Sequence, residues 1–205
     1  MKILRSFIAF LFISLGGTAS NAHGGTERMA TVVPEELDAP RFELATESAY
    51  LLGIIGNPNS YEIGAQFVTA RMRWGAVHTD GWLRGFNQVY LLAMAEPIFR
   101  GPENHYLGIS TGLRYNFVRP ASRLVPYISG GVGLGFIDSH PEISGAQGQD
   151  FTFNILTAAG ISYKMNEHWK TTAGILYQHL SNAGLTSPNP SLNLLGPQLG
   201  FTYSF

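Results

Sequence analysis

The chain has no cysteine among its 205 residues, which excludes disulfides, thiolate zinc sites and cysteine nucleophiles. Its formal net charge is only −1 and its Lys and Arg residues are scattered rather than clustered, so no nucleic-acid partner is predicted. After the first 22 residues, no stretch approaches the roughly 18 consecutive apolar residues of a membrane-spanning helix. What remains is a chain that is 45% hydrophobic, contains 24 glycines and spreads its apolar side chains over many short segments.

The first 22 residues have the three parts of a secretory signal peptide. Lys2 and Arg5 form a positive start, residues 7–15 are apolar, and the small residues at 20–22 offer a cleavage site. The alternative is an N-terminal membrane anchor, but the apolar stretch is about half of the ~20 residues that a spanning helix needs. We therefore predict an exported protein whose signal peptide, residues 1–22, is removed.

The rest of the chain is predicted to be an N-terminal lead-in, residues 23–40, and one domain, residues 41–205. In this domain, segments of ten or more residues alternate between apolar and polar side chains and end at Pro, Asn, Asp or Gly, which is typical of β-strands. The alternation is clearer from residue 104 onward than before it. Eight strands are predicted, at 41–53, 61–74, 83–96, 104–118, 123–137, 150–164, 168–181 and 192–205.

The two faces of these segments differ in chemistry. The faces with small and polar side chains include Glu43, Glu47, Arg114, Asn116 and Lys164, whereas the opposite faces are apolar with aromatic residues near the strand ends. A soluble lipocalin-like barrel would enclose an apolar lumen, but a membrane barrel has a polar lumen and an apolar outside. The fold class predicted is therefore all-β, an eight-stranded antiparallel transmembrane β-barrel with an up-and-down meander, crossing the bacterial outer membrane many times.

The lengths of the connections predict which end of the barrel faces the cell surface. An even strand count places both termini at the same end of the barrel, and if that end is periplasmic, the loop 182–191 is extracellular. The short turns 119–122 and 165–167 then lie in the periplasm, and the longer segment 138–149 is extracellular. This pattern of short inner turns and longer outer loops is typical of outer-membrane barrels.

One pair of residues in the seventh predicted strand could carry chemistry. His179 and Ser181 are two residues apart and therefore on the same face of the strand. An imidazole so placed can take the proton of a serine hydroxyl. Their shared face is the outward one, so the substrate predicted is a lipid ester at the outer leaflet. The alternative interpretation is that both are interfacial polar residues at a strand end.

A longer motif around this pair resembles a known family. The string His-Leu-Ser-Asn-Ala-Gly-Leu at 179–185, followed by Pro-Asn-Pro at 188–190 and by Gly196, resembles the PagL-type lipid A 3-O-deacylases, which are acyloxyacyl hydrolases. The likeness is strongest over 175–205 and weaker over 113–117 and 126–133. It implies hydrolysis of the ester-linked 3-hydroxyacyl chain of lipid A, the substrate within lipopolysaccharide, by a carboxylic ester hydrolase.

The resemblance also implies roles for individual residues. His179 is the general base and Ser181 the nucleophile, on the lipid-facing exterior of the barrel. Asn189 matches a family asparagine that helps to hold the oxyanion. Asn182 also matches the motif and is a second candidate for binding substrate, although a turn role at the strand end explains it equally well.

One position departs from the family pattern. Where these enzymes have the glutamate of the triad, twelve residues after the serine, this chain has Asn193. An asparagine carbonyl can accept the imidazole N–H and orient the ring, but it cannot stabilise the imidazolium by charge. By analogy with acid-to-amide changes in other triads, the loss costs up to ~10⁴ in rate. Asp150 is a possible substitute acid, although its parity places it on the inward face.

No cofactor and no metal site is predicted, because His78, His105, His140 and His168 lack metal-ligand spacing. The partners predicted are lipid A and the surrounding outer-membrane lipid, and a homodimer in the bilayer is compatible with the sequence. A second hypothesis competes with the esterase, namely a non-catalytic structural or interaction barrel with a degraded triad. Asn193 is the best argument for that alternative, and the intact motif around Ser181 is the argument against it.

Overall fold

The structure is a computed structural model that describes residue 37, residues 41–54 and residues 60–205. The predicted signal peptide, and the predicted lead-in apart from Leu37, lie outside the described residues. The described chain forms eight strands, which are β1 (Phe42–Gly53), β2 (Glu62–His78), β3 (Gly85–Arg100), β4 (His105–Phe117), β5 (Leu124–Ile137), β6 (Phe151–Lys164), β7 (Trp169–Ser181) and β8 (Leu192–Ser204). In the described part, no helix is long and apolar enough to cross a membrane.

Every strand pairs with its sequence neighbours in antiparallel fashion, and β1 pairs with β8 to close the sheet. The closing register runs from the pair Glu43 and Ser204 to the pair Gly53 and Leu194. Closure leaves no free strand edge, so the backbone N–H and C=O groups find partners within the sheet. The predicted eight-stranded meander barrel is confirmed.

Strands β2 and β3 extend beyond their predicted ends. β2 continues past Trp74 through a register shift between Trp74 and Val77, and β3 continues past Pro97 with a second shift between Glu62 and Ile63. A bulge adds a residue to one strand and so interrupts the alternation of faces. Pro97 has no N–H to donate and normally marks a strand end, which is why the sequence pattern placed the boundary too early.

The alternation of burial confirms which face is outward. Along β1, each inward residue is buried and each outward residue is exposed, so Glu43 and Glu47 face the lumen while Phe42 and Leu44 face outward. Apolar side chains are similarly exposed along the other strands. An exposed apolar belt around a closed barrel is what the hydrocarbon layer of a membrane covers.

Buried ionic contacts fill the half of the lumen nearest the termini. Arg71 Nη2 lies 2.6 Å from Glu47 Oε1, and Lys170 pairs with Glu43. Arg114 donates to Ser162 Oγ at 2.7 Å and stacks on the Tyr127 ring, 3.5 Å from its centroid. Glu43, Glu47 and Arg114, which the sequence placed on the polar face, therefore make polar contacts in this half of the lumen.

The other half of the lumen contains a large apolar cluster, which the sequence did not predict, together with buried polar side chains such as Glu96, which accepts hydrogen bonds from Gln178. Buried hydrophobic side chains from β1, β2, β7 and β8 pack together there, and they include Leu51, Ile63, Leu180, Leu192 and Leu194. These residues lie at the barrel end that carries the loop 182–191. Ion pairs thus lie in the half nearest the termini, whereas polar and apolar side chains share the other half, and the end of β7 that carries His179 and Ser181 is backed by a packed core.

Candidate active site

His179 and Ser181 lie on the outer face of β7, as their parity predicted. Their neighbours Gln178, Leu180 and Asn182 are buried towards the interior, whereas both candidate residues are half-buried. Because successive side chains of a strand point to opposite faces, the two functional groups share the outward side. They stand at the barrel end where β7 gives way to the loop 182–191.

Asn193 is the residue of β8 that pairs with His179. Its side-chain Oδ1 lies 2.9 Å from His179 Nδ1 and accepts a hydrogen bond of 2.8 Å from the hydroxyl of Tyr177. Its Nδ2 donates to the carbonyl of Ser191 at 3.3 Å. The amide that stands at the family's acid position therefore contacts the imidazole directly.

The Ser181 hydroxyl oxygen accepts a hydrogen bond from the backbone N–H of Ala183 at 3.1 Å. Within the described part of the chain, the Ser181 hydroxyl and the His179 ring are not hydrogen-bonded to each other. Their Cα atoms are two residues apart on one strand, a separation of about 7 Å. Catalytic hydrogen bonds are often long in the absence of substrate and tighten when it binds.

The loop 182–191 is organised by Asn182, whose side chain is fully buried. Its Nδ2 donates to the carbonyl oxygens of Thr186 at 2.9 Å and Pro188 at 3.1 Å, while its Oδ1 accepts from the Gly184 N–H at 2.9 Å. An asparagine that uses its own side chain to satisfy loop backbone is a turn-forming residue. These contacts favour the turn role for Asn182 over a substrate-binding role.

Asn189 reaches back to the strand end. Its Oδ1 accepts the backbone N–H of Asn182 at 3.1 Å, so its carboxamide lies beside the residue that follows Ser181. The contact uses the oxygen of the amide, and the N–H groups of the same amide are donors of the kind that stabilise an oxyanion.

The loop between β5 and β6 packs against this segment. The N–H of Gly148 donates to the Pro188 carbonyl at 2.8 Å, and Thr186 is hydrogen-bonded to Gln149. A Cβ atom on Gly148 would lie 2.6 Å from the Pro188 oxygen, so only glycine allows this approach. The position of the loop after Ser181 thus depends on a second loop.

Asp150 does not contact His179. Its Oδ1 accepts hydrogen bonds from the Ser139 hydroxyl at 2.6 Å and the Ser139 N–H at 3.0 Å. These two bonds from Ser139 lower the pKa of the Asp150 carboxyl below its usual value. The carboxylate is engaged in its own loop, so it does not replace the acid missing at Asn193.

The other histidines lie apart from the candidate site. The His105 and His140 rings flank Asp138, with N···O distances of 3.6 and 3.9 Å, while His78 packs on Tyr115 and His168 stacks on Tyr203. Among residues 41–54 and 60–205, no group of three or more His, Asp or Glu side chains is arranged to hold a metal ion.

An aromatic surface borders Ser181. Its partner on β6 is Phe153, whose ring contacts Phe151, which in turn contacts Phe136. Phe136 and Phe153 are exposed on the outer face. The serine hydroxyl therefore lies at the edge of an apolar surface on which acyl chains can pack.

Sequence reasoning missed Tyr177 and Ser191, which both contact Asn193. Tyr177 stands two residues before His179, and this spacing alone indicates that both side chains lie on the outer face of β7. Nothing in the sequence indicated Ser191, because it contacts Asn193 through its backbone carbonyl, and the position of that carbonyl depends on the shape of the loop.

Comparisons with known proteins bear on this site and on the fold. The family model described as "Lipid A 3-O-deacylase (PagL)" matches residues 59–202. A search of curated proteins finds no match. Among solved structures, the chain is similar to the outer membrane enzyme PagL, with 18% identity, a TM-score of 0.56, and coverage of 77% of this chain and 97% of that chain.

The chain is also similar in structure to neisserial surface protein A (NspA), with 15% identity, a TM-score of 0.59, and coverage of 80% of this chain and 97% of that chain. At such identities the structural likeness shows the barrel fold alone, whereas the family model covers well over half of the sequence, including His179, Ser181 and Asn193. The chain therefore belongs to the PagL lipid A 3-O-deacylase family and is an outer-membrane β-barrel.

Proposed function

We propose that this protein is a serine esterase that removes the 3-O-linked hydroxyacyl chain from lipid A by hydrolysis. The observation that carries the proposal is the contact of 2.9 Å between His179 Nδ1 and Asn193 Oδ1, on the same outer face as Ser181. An imidazole whose Nδ1 is held in this way presents Nε2 as a base. Family membership supplies the substrate class, lipid A.

The first half of the reaction is acyl transfer to the serine. The Ser181 hydroxyl gives its proton to His179 Nε2 as its oxygen attacks the ester carbonyl carbon. The negative charge then rests on the former carbonyl oxygen, where the N–H groups of Asn189 donate to it. When the tetrahedral intermediate collapses, the bond to the sugar oxygen breaks and that oxygen takes the proton from His179.

The second half is hydrolysis of the acyl-enzyme. His179 removes a proton from water, the hydroxide oxygen attacks the acyl carbon, and Ser181 leaves with the proton. The products are a free 3-hydroxy fatty acid and lipid A with a free 3-hydroxyl group. No cofactor takes part in this scheme.

The position of the site suits a substrate that lies in the outer leaflet. Ser181 and His179 lie on the outer face of the barrel next to the exposed aromatic surface of Phe136 and Phe153. With both termini in the periplasm, this end of β7 lies at the headgroup level of the outer leaflet, where the ester bonds of lipid A are. The acyl chain then packs on apolar side chains while the ester meets the polar residues.

A non-catalytic barrel is the second candidate function, and two observations favour it. The acid position holds the amide of Asn193, and the Ser181 hydroxyl oxygen accepts an N–H bond from Ala183 rather than contacting His179. A scaffold that keeps the family fold without the activity would have this arrangement. The esterase needs the Ser181 hydroxyl to deacylate lipid A, whereas the non-catalytic barrel leaves lipid A unchanged.

Ser181→Ala is the variant that separates the two candidates. We expect lipid A from an outer membrane with the intact protein to lose one hydroxyacyl mass, and lipid A from cells with the variant to keep it, because the variant has no nucleophile. Mass spectrometry of lipid A at matched levels of folded barrel, judged by heat-modifiable migration on gels, measures this. The host must make lipid A with a 3-O-acyl chain.

A control variant on the opposite barrel end is Tyr163→Phe, which removes an exposed hydroxyl far from the site. It should leave deacylation unchanged. Identical lipid A from the intact protein and from Ser181→Ala would rule out the esterase and favour the structural barrel.

A further inference from the structure

The orientation of the Asn193 amide is fixed by a group that can only accept a hydrogen bond. Its Nδ2 lies 3.3 Å from the carbonyl oxygen of Ser191. Rotating the amide by half a turn would bring Oδ1 against that carbonyl, so two acceptors would meet without a proton between them. The carbonyl of Ser191 therefore directs Oδ1 towards β7.

That orientation determines which nitrogen of His179 carries a proton. The carbonyl oxygen of an amide only accepts, so the His179 Nδ1 at 2.9 Å must carry the hydrogen. In the neutral ring Nε2 is then the unprotonated nitrogen, which is the state that a general base needs. The reverse orientation of the amide would favour the other tautomer, in which Nε2 carries the hydrogen and cannot take one from Ser181.

With a carboxylate at position 193, the tautomer of His179 would not depend on the orientation of the group. Both oxygens of a glutamate accept hydrogen bonds, so every rotation of the group favours the proton on Nδ1. An asparagine supports the base in only one of its two orientations. A chain with Asn193 therefore needs groups that hold the amide, and a chain with a glutamate does not.

Tyr177 is the second group that holds the amide. Its hydroxyl donates to Asn193 Oδ1 at 2.8 Å, so this oxygen accepts from Tyr177 and His179 together. Tyr177 is half-buried and stands two residues before His179 on the same face of β7. A phenolic hydroxyl can also accept a hydrogen bond, so the Ser191 carbonyl selects the orientation of the amide and the bond from Tyr177 to Oδ1 restricts rotation of the Asn193 side chain within it.

We propose that Tyr177 is a positioning residue that, together with the Ser191 carbonyl, locks the Asn193 amide so that His179 keeps its proton on Nδ1 and Nε2 stays free as the base. The proposal rests on the proposed esterase function, and it assigns to Tyr177 a role that the acid of the family's triad does not require. It predicts that Tyr177 matters with asparagine at position 193 and matters little with glutamate there.

The kinetic test compares Tyr177→Phe in two backgrounds, using purified barrel and lipid A in detergent micelles. In the protein with Asn193 we expect kcat to fall by roughly twofold to tenfold with KM unchanged, the size expected for one lost hydrogen bond. In the Asn193→Glu background the same change should alter kcat by less than about twofold. Such non-additivity is the sign of two residues that act through one contact.

Tyr163→Phe is the matched control for the loss of an outward tyrosine hydroxyl, and heat-modifiable migration reports folding of every variant. An equal loss of kcat from Tyr177→Phe in both backgrounds would overturn the proposal, because it would mean that Tyr177 contributes to packing or lipid contact rather than through Asn193. A rise in KM alone would overturn it as well.

The tautomer of His179 gives a readout that does not need activity. Nitrogen-15 NMR of histidine-labelled barrel distinguishes protonated from unprotonated ring nitrogens, and the variant His179→Gln assigns the signals. We expect hydrogen on Nδ1 in the unmodified protein and a mixture of tautomers in Tyr177→Phe. Hydrogen on Nε2 in the unmodified protein, or an unchanged tautomer in Tyr177→Phe, would overturn the proposal. If deacylation fails but this pattern is seen, the esterase is wrong and the positioning role of Tyr177 stands.

Discussion

Two hydrogen-bond networks join neighbouring strands of this barrel, and they differ in charge. Inside the lumen, Glu47 on β1 and Arg71 on β2 form a buried ion pair. On the outer face, the Tyr177 hydroxyl and the His179 ring both contact the neutral amide oxygen of Asn193. The Glu47 carboxylate has the guanidinium of Arg71 beside it, whereas a carboxylate at position 193 would have the imidazole of His179 beside it.

The two faces of the barrel therefore differ in how well they stabilise an ionised acidic residue. Burying an ionised carboxylate without a paired charge is costly, and an amide avoids that cost. In the proposed reaction, Asn193 therefore orients the His179 ring, but it does not stabilise the imidazolium by charge as a carboxylate would.

Asn193→Glu should have the largest effect, because it introduces a carboxylate beside the His179 ring. We expect kcat to rise by at least tenfold, with ~10⁴ as the upper bound from triads in which an acid was changed to an amide. The acid limb of the pH–rate profile should also move to higher pH, because a carboxylate favours the imidazolium form and the base must be neutral.

Deacylation rates over a range of pH measure both effects, and Asn193→Leu, which lacks an acceptor, is the control that should lose activity. A rate for Asn193→Glu equal to or below that of the unmodified protein would remove Asn193 from the catalytic group.

How much of this site was predictable from the sequence depends on which contact is considered. Alternation along β7 was enough to place His179 and Ser181 on one outward face, because parity requires only a regular strand. The contact of Asn193 with His179 also requires the register of β7 with β8, which could be anticipated from parity and the loop length. The bond from Tyr177 and the carbonyl of Ser191 depend on rotamers and loop shape, which no periodic pattern encodes.

Alternation of polar and apolar residues also predicted the lining of the lumen only in part. Glu43 and Glu47 were placed inside correctly because they alternate with apolar residues. Leu51 and Ile63 also face inward. Near Leu51, β1 is apolar on both faces, so alternation carries little information there. Near Ile63 the outward side chains are Glu62 and Gln66, so the apolar face of β2 points into the lumen, against the general pattern. The bulges of β2 and β3 were missed because an inserted residue breaks the period itself.

Arg71→Met should have the next largest effect, and it alters the inner network. Removing the cation leaves Glu47 buried without its ion-pair partner, and we expect the free energy of unfolding to fall by about 3–5 kcal/mol. Urea titration monitored by heat-modifiable migration measures the loss. The double variant Arg71→Met with Glu47→Leu should recover most of it, and a double variant as unstable as the single one would contradict the ion-pair explanation.

Gly148→Ala should have the smallest effect of the three. The new Cβ would lie 2.6 Å from the Pro188 carbonyl oxygen, so the loop 182–191 must shift at a cost of about 1–3 kcal/mol. We expect slower deacylation with little change in the stability of the barrel itself, because the clash is confined to two loops.

Gly130→Ala is the matched control for this change, since its nearest atom outside the local chain lies 3.9 Å away. Equal rates for Gly148→Ala and the unmodified protein would mean that the position of the second loop does not matter for the site.

The apolar packing of the outer half of the lumen also bears on the supply of water. Leu51, Leu180, Leu192 and their neighbours pack in the lumen behind β7, whereas Ser181 lies on the outer face of that strand. In the proposed reaction, the second substrate must arrive along the headgroup layer of the outer leaflet. The hydration of that layer, and the divalent ions that tighten it, would then control how fast an acyl-enzyme is released.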